Sequence, residues 1–382
     1  MKIAKGIRNA PPSKFEQSLK AAEEVKDLIS LSIGEPDFET PAHISEAGIQ
    51  AIKRGYTHYT NNYGLLDLRK ALAHKMNQVN HVEVDYTGVI VTAGASLAID
   101  MAMRLFLEPG DEVIIQNPGY FNYIYESHFI GAKIIPVQLY EENNFSLHAE
   151  DVEKLITKKT KLLILNSPQN PTGSIIFENE LRKIADLCLE HDIFVISDEI
   201  YEHLIYGHKH FSIASIPEML DISLTLNGFS KAYAMTGWRI GYAVGNPAVI
   251  QKMGTMQMYI NICAPSMSQM AALTALQAPQ DCVRDMVEEY TQRRAFLLSR
   301  LQDMDIPCVM PGGAFYAFPN ISHLGSSDNI WRLLIDKAHV STTPGNMFGS
   351  QGEGYLRLSY ATSLPNIEKA LDRIEKVVRS IT

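Results

Sequence analysis

Cysteine is scarce: the 382-residue chain has four, at positions 188, 263, 282 and 308, and none forms a CxxC pair. Scattered cysteines in a chain this long read as reduced thiols, not as a disulfide framework. No stretch approaches the ~20 consecutive apolar residues that a membrane-spanning helix needs. The opening MKIAKGIRNAPPSKF lacks the apolar core of a signal peptide. Positive charge is in deficit, with 34 Lys and Arg against 43 Asp and Glu. That balance counts against a nucleic-acid partner, while leaving room for a local basic pocket around a small anion. HExxH, Walker A and GxSxG patterns are missing, as are internal repeats and low-complexity linkers. These absences predict a soluble, cytoplasmic protein with neither nucleic acid nor membrane as partner.

What is present is an ordinary globular composition, 46% hydrophobic and 20% charged. The length exceeds what one hydrophobic core usually supports, so two lobes are expected. Short apolar runs at 88–92, 111–116, 161–166, 193–198, 223–227 and 239–245 read as strands. Between them, 96–107 and 178–191 carry apolar residues at three- and four-residue spacing, the mark of helices. Alternation of this kind predicts a mostly parallel α/β sheet. From about residue 280 the texture changes to a long charged helix (285–304), a Gly/Pro-punctuated segment and a terminal amphipathic helix. The expected division is an N-terminal arm with part of a small domain (1–45), a large domain (46–280) and a C-terminal small domain (281–382). The arm is expected to pack against the C-terminal lobe.

Each predicted strand ends in a small or polar cluster, where ligands of open α/β sheets bind. Lys231, in Asn-Gly-Phe-Ser-Lys just past a strand, is placed to lose charge on burial and attack a carbonyl. An arbitrary loop lysine would simply be solvated, and so would Arg239 eight residues later. Asp198 ends an apolar strand and suits a protonated ring nitrogen, or equally a helix cap. Tyr201 suits a phenolic oxygen, or an ordinary core position. Gly94-Ala95-Ser96 opens a helix and offers free N–H groups to a phosphate, although Ser96 as N-cap explains the same residues. Asn170 lies in the stiff loop NSPQNPTG (166–173).

Taken in order, NSPQNPTG, SDEIY and NGFSKAYAMTGWRIGY resemble the class I/II aminotransferases, the fold-type-I pyridoxal-phosphate enzymes. LSIGEPDF (31–38), HYTNNYGLLDLRKAL (58–72), PGGAFYAFP (311–319) and the run from PGNMFG (344–349) to GYLRLSYA (354–361) extend the resemblance from about residue 28 to the end. It implies a large domain with a seven-stranded, mostly parallel sheet flanked by helices, and a smaller α+β domain. It implies pyridoxal 5'-phosphate as cofactor and transfer of an amino group from an L-amino acid to a 2-oxo acid, 2-oxoglutarate being the expected acceptor, by a ping-pong route. Lys231 would hold the cofactor as a Schiff base and act as general base. Asp198 would pair the pyridine nitrogen, with Asn170 and Tyr201 on the phenolic oxygen. Tyr120 would stack on the ring, with Phe121 and Tyr123 near it as aromatics that suit a bulky or apolar side chain but stand where any member keeps them, and Ala95, Ser96, Ser230 and Arg239 would cradle the phosphate. Arg357, helped by Gly34 and Asn170, would clamp the substrate carboxylate. Tyr59 would reach the phosphate of a neighbouring subunit, which makes the expected unit a homodimer with shared sites.

The chain departs from the family pattern at Gly228, where many members carry a hydroxyl residue for the phosphate. No Lys or Arg stands beside Gly94-Ala95-Ser96 for a distal substrate carboxylate, which weakens a strict aspartate reading; Arg8 in the arm is the alternative. His208-Lys-His210 reads as a surface turn without a third metal ligand. Two other functions are weighed: a C–S β-lyase on the same fold, since the same carbanion can expel a β-substituent, and a cofactor-sensing regulator. The regulator needs an added DNA-binding domain, which the acidic chain does not offer.

Overall fold

In the computed structural model, which describes residues 3–23 and 25–381, the apolar runs become strands nearly where their pattern places them. They are β1 (Val89–Thr92), β2 (Glu112–Asn117), β3 (Lys133–Gln138), β4 (Thr160–Asn166), β5 (Phe194–Asp198), β6 (Ser223–Gly228) and β7 (Gly241–Gly245). They form one seven-stranded sheet in the order β1-β7-β6-β5-β4-β2-β3. Only β7 runs against its neighbours. Strand β3 is the one the sequence pattern does not mark, because Pro136 interrupts KIIPVQ. Proline lacks the N–H a ladder needs and is tolerated at an edge, which is where β3 lies.

Alternate residues of the central strands face opposite helical layers. Ile115, Ile164, Ile196 and Leu226 pack with Ala98, Ile99 and Ala102 of the helix Ala95–Phe106. Leu163, Val195 and Ile114 pack with Leu181, Ile184 and Cys188 of Glu178–His191 on the other side. Burying each such aliphatic side chain contributes roughly 1.5–3 kcal/mol, so the sheet is held by both layers at once.

A second core gathers around Asp281–Asp303 and the terminal helix Leu364–Val378. It contains a small antiparallel sheet in which Leu356–Ser359 lies between Thr343–Pro344 and Tyr316–Ala317. The N-terminal arm meets the C-terminal lobe and the sheet body both. Ile29 and Ser30 pair in parallel with Val340 and Ser341. The helix Lys5–Asn9, however, rests on Phe121–Ile130 of the sheet body, so closely that a methyl at Gly6 would lie 2.5 Å from the Phe129 carbonyl oxygen. Among the described residues no helix is long and apolar enough to cross a membrane.

Candidate active site

The carboxyl ends of the parallel strands open onto a cavity of about 460 Å³. Strand β7 runs the other way, so its start lies at this same end, and that delivers Arg239 to the cavity. The lining includes Gly34, Ala95, Ser96, Tyr120, Asn170, Asp198, Tyr201, Ser230, Lys231, Arg239 and Arg357. All the site residues singled out in the sequence therefore meet here, except Tyr59. That residue is 78% exposed and outside the cavity. Arg8 is likewise exposed and does not line it.

At one end of the cavity two positive features converge. Gly94 sits at φ 86°, a left-handed conformation that favours glycine, and starts the helix Ala95–Phe106 with no side-chain cap bond. Ser96 is thus not the N-cap, and the first N–H groups of the helix stay open toward an anion. A methyl at Gly94 would lie 2.5 Å from Arg239 Nη2, so the guanidinium lies against the same helix end. Arg239 donates Nη1 to the Thr236 carbonyl at 2.9 Å and makes no ion pair among the described residues. A Cβ at Gly228 would come within 3.1 Å of Gly241 Cα on β7, a tight fit that a hydroxyl residue would need β7 to yield to.

At the other end Asp198 closes β5, 3% exposed, and also without an ion-pair partner among the described residues. It caps no helix; its Oδ1 accepts from the Ile200 amide at 3.2 Å and its Oδ2 from Tyr123 Oη at 2.6 Å. Burial raises its carboxyl to about 6, against the lowering effect of those two donors. The loop after β4 is tied to β5 by Asn166, whose Nδ2 donates to the Asp198 carbonyl at 3.0 Å and whose Oδ1 accepts from the Asn170 amide at 2.9 Å. That clamp aims the Asn170 side chain at Arg357 Nη1, 2.9 Å away.

Between the two ends, Lys231 Nζ donates to the Gly34 carbonyl at 2.7 Å. Burial brings the Lys231 amine down to about 8, with Arg357 and Arg239 adding to the effect and Glu35 opposing it. Arg357, 3% exposed, donates to Asn170, the Ser32 carbonyl and Thr343, all neutral, and its Nε has no partner among the described residues. A buried guanidinium held only by neutral groups is a receptor for a carboxylate. Gly34 is fixed by crowding, since a methyl there would lie 2.1 Å from Tyr316 Oη.

Two contributors escape the sequence reading. Tyr316 lines the cavity, shares a 2.9 Å hydroxyl contact with Tyr201, and lies under the Arg357 guanidinium at 4.4 Å. Glu35 lines the cavity and accepts from Thr236 Oγ1. Tyr123, expected near the ring, instead stands outside the lining and donates to Asp198. Tyr316 lies within the quoted PGGAFYAFP, but nothing local marks it as facing Tyr201.

His210 corrects the surface-turn reading. His208 is exposed, but His210 turns inward, with Nε2 at 2.7 Å from Glu199 Oε2. Glu199, Glu202 and His210 bring ligand-type atoms within 4.8 Å of one another. Positive charge is already supplied there by Lys75, whose ammonium bonds Glu202, while Asn80 donates to the second Glu202 oxygen at 2.7 Å. Burial alone would raise the Glu202 carboxyl, but Lys75, His203 and His210 hold it well below the usual carboxylate range. Lys75→Ala should therefore cost about 3–5 kcal/mol of stability by leaving a buried carboxylate unpaired. The apolar pair Lys75→Met with Glu202→Leu should recover most of the lost melting temperature. A single variant that melts like the wild type would show that the pair stabilises nothing.

An open helix end beside an arginine, a desolvated carboxylate opposite, and a lysine of lowered basicity between them fit a molecule with a phosphate at one end, a protonated ring nitrogen at the other, and a carbonyl between. That is the cofactor arrangement of pyridoxal-phosphate enzymes. The sequence profile described as aminotransferase class I and II matches residues 26–374, and the chain belongs to that family. It is 44% identical over 373 residues to an aspartate aminotransferase of Pyrococcus abyssi, covering 96% of each chain. It is 41% identical over 384 residues to aromatic-amino-acid aminotransferase 2 of Thermococcus litoralis, covering 99% of each. The solved aromatic aminotransferase of Pyrococcus horikoshii superposes with a TM-score of 0.91 at 43% identity, covering 95% of this chain and 99% of that one. The protein is accordingly a pyridoxal-phosphate-dependent amino-acid aminotransferase of fold type I, and the β-lyase alternative is not favoured.

Proposed function

We propose that aromatic L-amino acids are the donors and 2-oxoglutarate the acceptor, in a ping-pong exchange at a site shared between two subunits. The observation that carries the donor class is the aromatic share of the cavity lining, where Phe121 and Tyr316 join Tyr120 and Tyr201. A second reading, aspartate as donor, is favoured by the Pyrococcus abyssi relative and its name.

Ala95, Ser96, Ser230 and Arg239 would hold the cofactor phosphate, Tyr120 its ring face, and Asn170 and Tyr201 its phenolic oxygen. Asp198 would keep the ring nitrogen protonated. The bound cofactor supplies an electron sink for the bond broken at the substrate Cα. Lys231, at the centre of the cavity, would carry the cofactor between turnovers and move the proton at Cα once displaced. Arg357, with Gly34 and Asn170, would bind the α-carboxylate and so fix which Cα bond faces Lys231.

The homodimer remains part of this reading. Tyr59 is exposed next to a loop whose Asn62 donates to the Gly254 carbonyl at 2.8 Å. At the end of that same helix (Pro247–Ile260), Met258, Tyr259 and Ile260 are exposed as well, an apolar surface suited to a partner subunit that would receive Tyr59. Residues 46–280 would act as the cofactor-binding domain, with 1–45 and 281–382 closing the substrate side, in a cytoplasmic enzyme.

The test is a half-reaction panel in which holoenzyme is mixed with single amino acids and the visible cofactor absorbance is followed. Phenylalanine and tyrosine should discharge it fastest, and 2-oxoglutarate should restore it. Discharge by aspartate alone would select the second reading, and discharge by neither would overturn both.

A further inference from the structure

Asp198 is held from two sides, and only one of its holders lies in the main chain. Tyr123, in the first turn of the helix Phe121–Ile130, donates its hydroxyl to Oδ2 at 2.6 Å, while the Ile200 amide reaches Oδ1 at 3.2 Å. Tyr123 is buried and does not line the cavity. Its ring meets Tyr120 edge-on, with centroids 5.5 Å apart and planes at 87°. Its main chain is fixed by Ser127 Oγ, which donates to the Tyr123 carbonyl at 2.7 Å. The phenol therefore approaches the carboxylate from behind, on a rigid support. Each carboxylate oxygen accepts one donor and keeps a lone pair for the cavity side.

We propose that Tyr123 is a positioning residue for the cofactor: its hydroxyl fixes the Asp198 carboxylate in the orientation and ionised state that a protonated pyridine nitrogen needs as acceptor. This rests on the reading of Asp198 given above. A phenol-to-carboxylate hydrogen bond is charge-assisted and favours the anion over the acid. Burial and the neighbouring Glu199 push Asp198 the other way, and Lys231 pulls it back. Without the Tyr123 hydroxyl the carboxyl would take up a proton more readily. A neutral acid facing the ring nitrogen would leave that nitrogen unprotonated and the electron sink weaker.

The experiment uses holoenzyme loaded with cofactor labelled with 15N at the ring nitrogen. Wild type should show a protonated nitrogen across neutral pH. Tyr123→Phe, which removes only the hydroxyl, should move the resonance toward the unprotonated position, raise the cofactor dissociation constant by about tenfold or more, and lower kcat more than it raises KM. Site-specific 3-fluorotyrosine at position 123, a stronger donor on the same ring, should keep the nitrogen protonated to higher pH than the wild type does; it keeps the test open if the phenylalanine variant folds poorly. A wild-type nitrogen resonance and wild-type cofactor affinity in Tyr123→Phe, or a nitrogen that loses its proton at lower pH with the fluorinated ring than in the wild type, would overturn the proposal. An unprotonated nitrogen in the wild type itself would overturn the Asp198 reading instead.

Discussion

Lys231→Ala is expected to lower kcat by about 10⁴-fold or more, since positioned proton transfer alone contributes roughly 10²–10⁴-fold and the covalent anchor is lost with it. The fold should not suffer, because among the described residues the only hydrogen bond of Lys231 Nζ is to the Gly34 carbonyl, in a cavity already open. The sign of its basicity supports this. Folding brings the amine down to about 8, below the usual lysine value of about 10.4. The folded state therefore binds fewer protons than the unfolded chain, and the cost of the buried ammonium is present in full below about pH 8 and fades as the pH rises toward 10. Cofactor-free Lys231→Ala should accordingly melt no lower than the wild type at pH 7. The same depression sets a kinetic signature for the native residue. The neutral amine is the nucleophile, so capture of the cofactor aldehyde by wild type should quicken by about tenfold per pH unit up to roughly pH 8 and then level off. Visible absorbance and normal turnover in the alanine variant would remove Lys231 from the chemistry, and a capture rate still climbing about tenfold per pH unit up to pH 10 would remove the lowered basicity.

Why Lys231, Asp198 and Arg239 were legible while Tyr316 and the bond from Tyr123 to Asp198 were not is a matter of chain distance. The first group lies within or just beyond strands whose apolar runs announce themselves, and a parallel sheet collects those strand ends in one place whatever the loops do. Helix Glu178–His191 could be bounded to the residue, because apolar periodicity and length agree there. Tyr123 meets Asp198 across 75 positions, and Tyr316 meets Tyr201 across 115. No local pattern encodes such a meeting; it follows from how the helix after β2 and the small C-terminal sheet are docked. His210 shows the opposite failure. A His-Lys-His run looks solvated, yet the turn aims its last member at Glu199, because a carboxylate buried beyond the end of β5 needs donors wherever the fold can supply them. Strand β3 was hidden by Pro136 for the reason that confines it to the edge.

Arg357 carries the second large effect, and its environment shows why. Every group it donates to is neutral, one nitrogen has no partner among the described residues, and its planar face lies over Tyr316 at 4.4 Å with Phe348 at 5.0 Å. The protein thus holds a desolvated cation in a fixed plane without neutralising it, an arrangement that gains its return only when a carboxylate arrives. Removing one member of such a buried charged pair costs about 2–5 kcal/mol, or roughly 30- to 4,000-fold in kcat/KM. Arg357→Ala should lose that much with amino-acid substrates while its cofactor absorbance stays in place. Arg357→Lys should recover little, because a point charge offers neither the bidentate fork nor the stack on Tyr316. Substrate chemistry supplies the control. An amino-acid amide, which lacks the carboxylate charge, should be disfavoured against the free acid by wild type and accepted almost equally by Arg357→Ala. If the alanine variant kept the wild-type preference for the acid, the carboxylate would be bound elsewhere in the cavity, and Arg239 would be the cation to examine next.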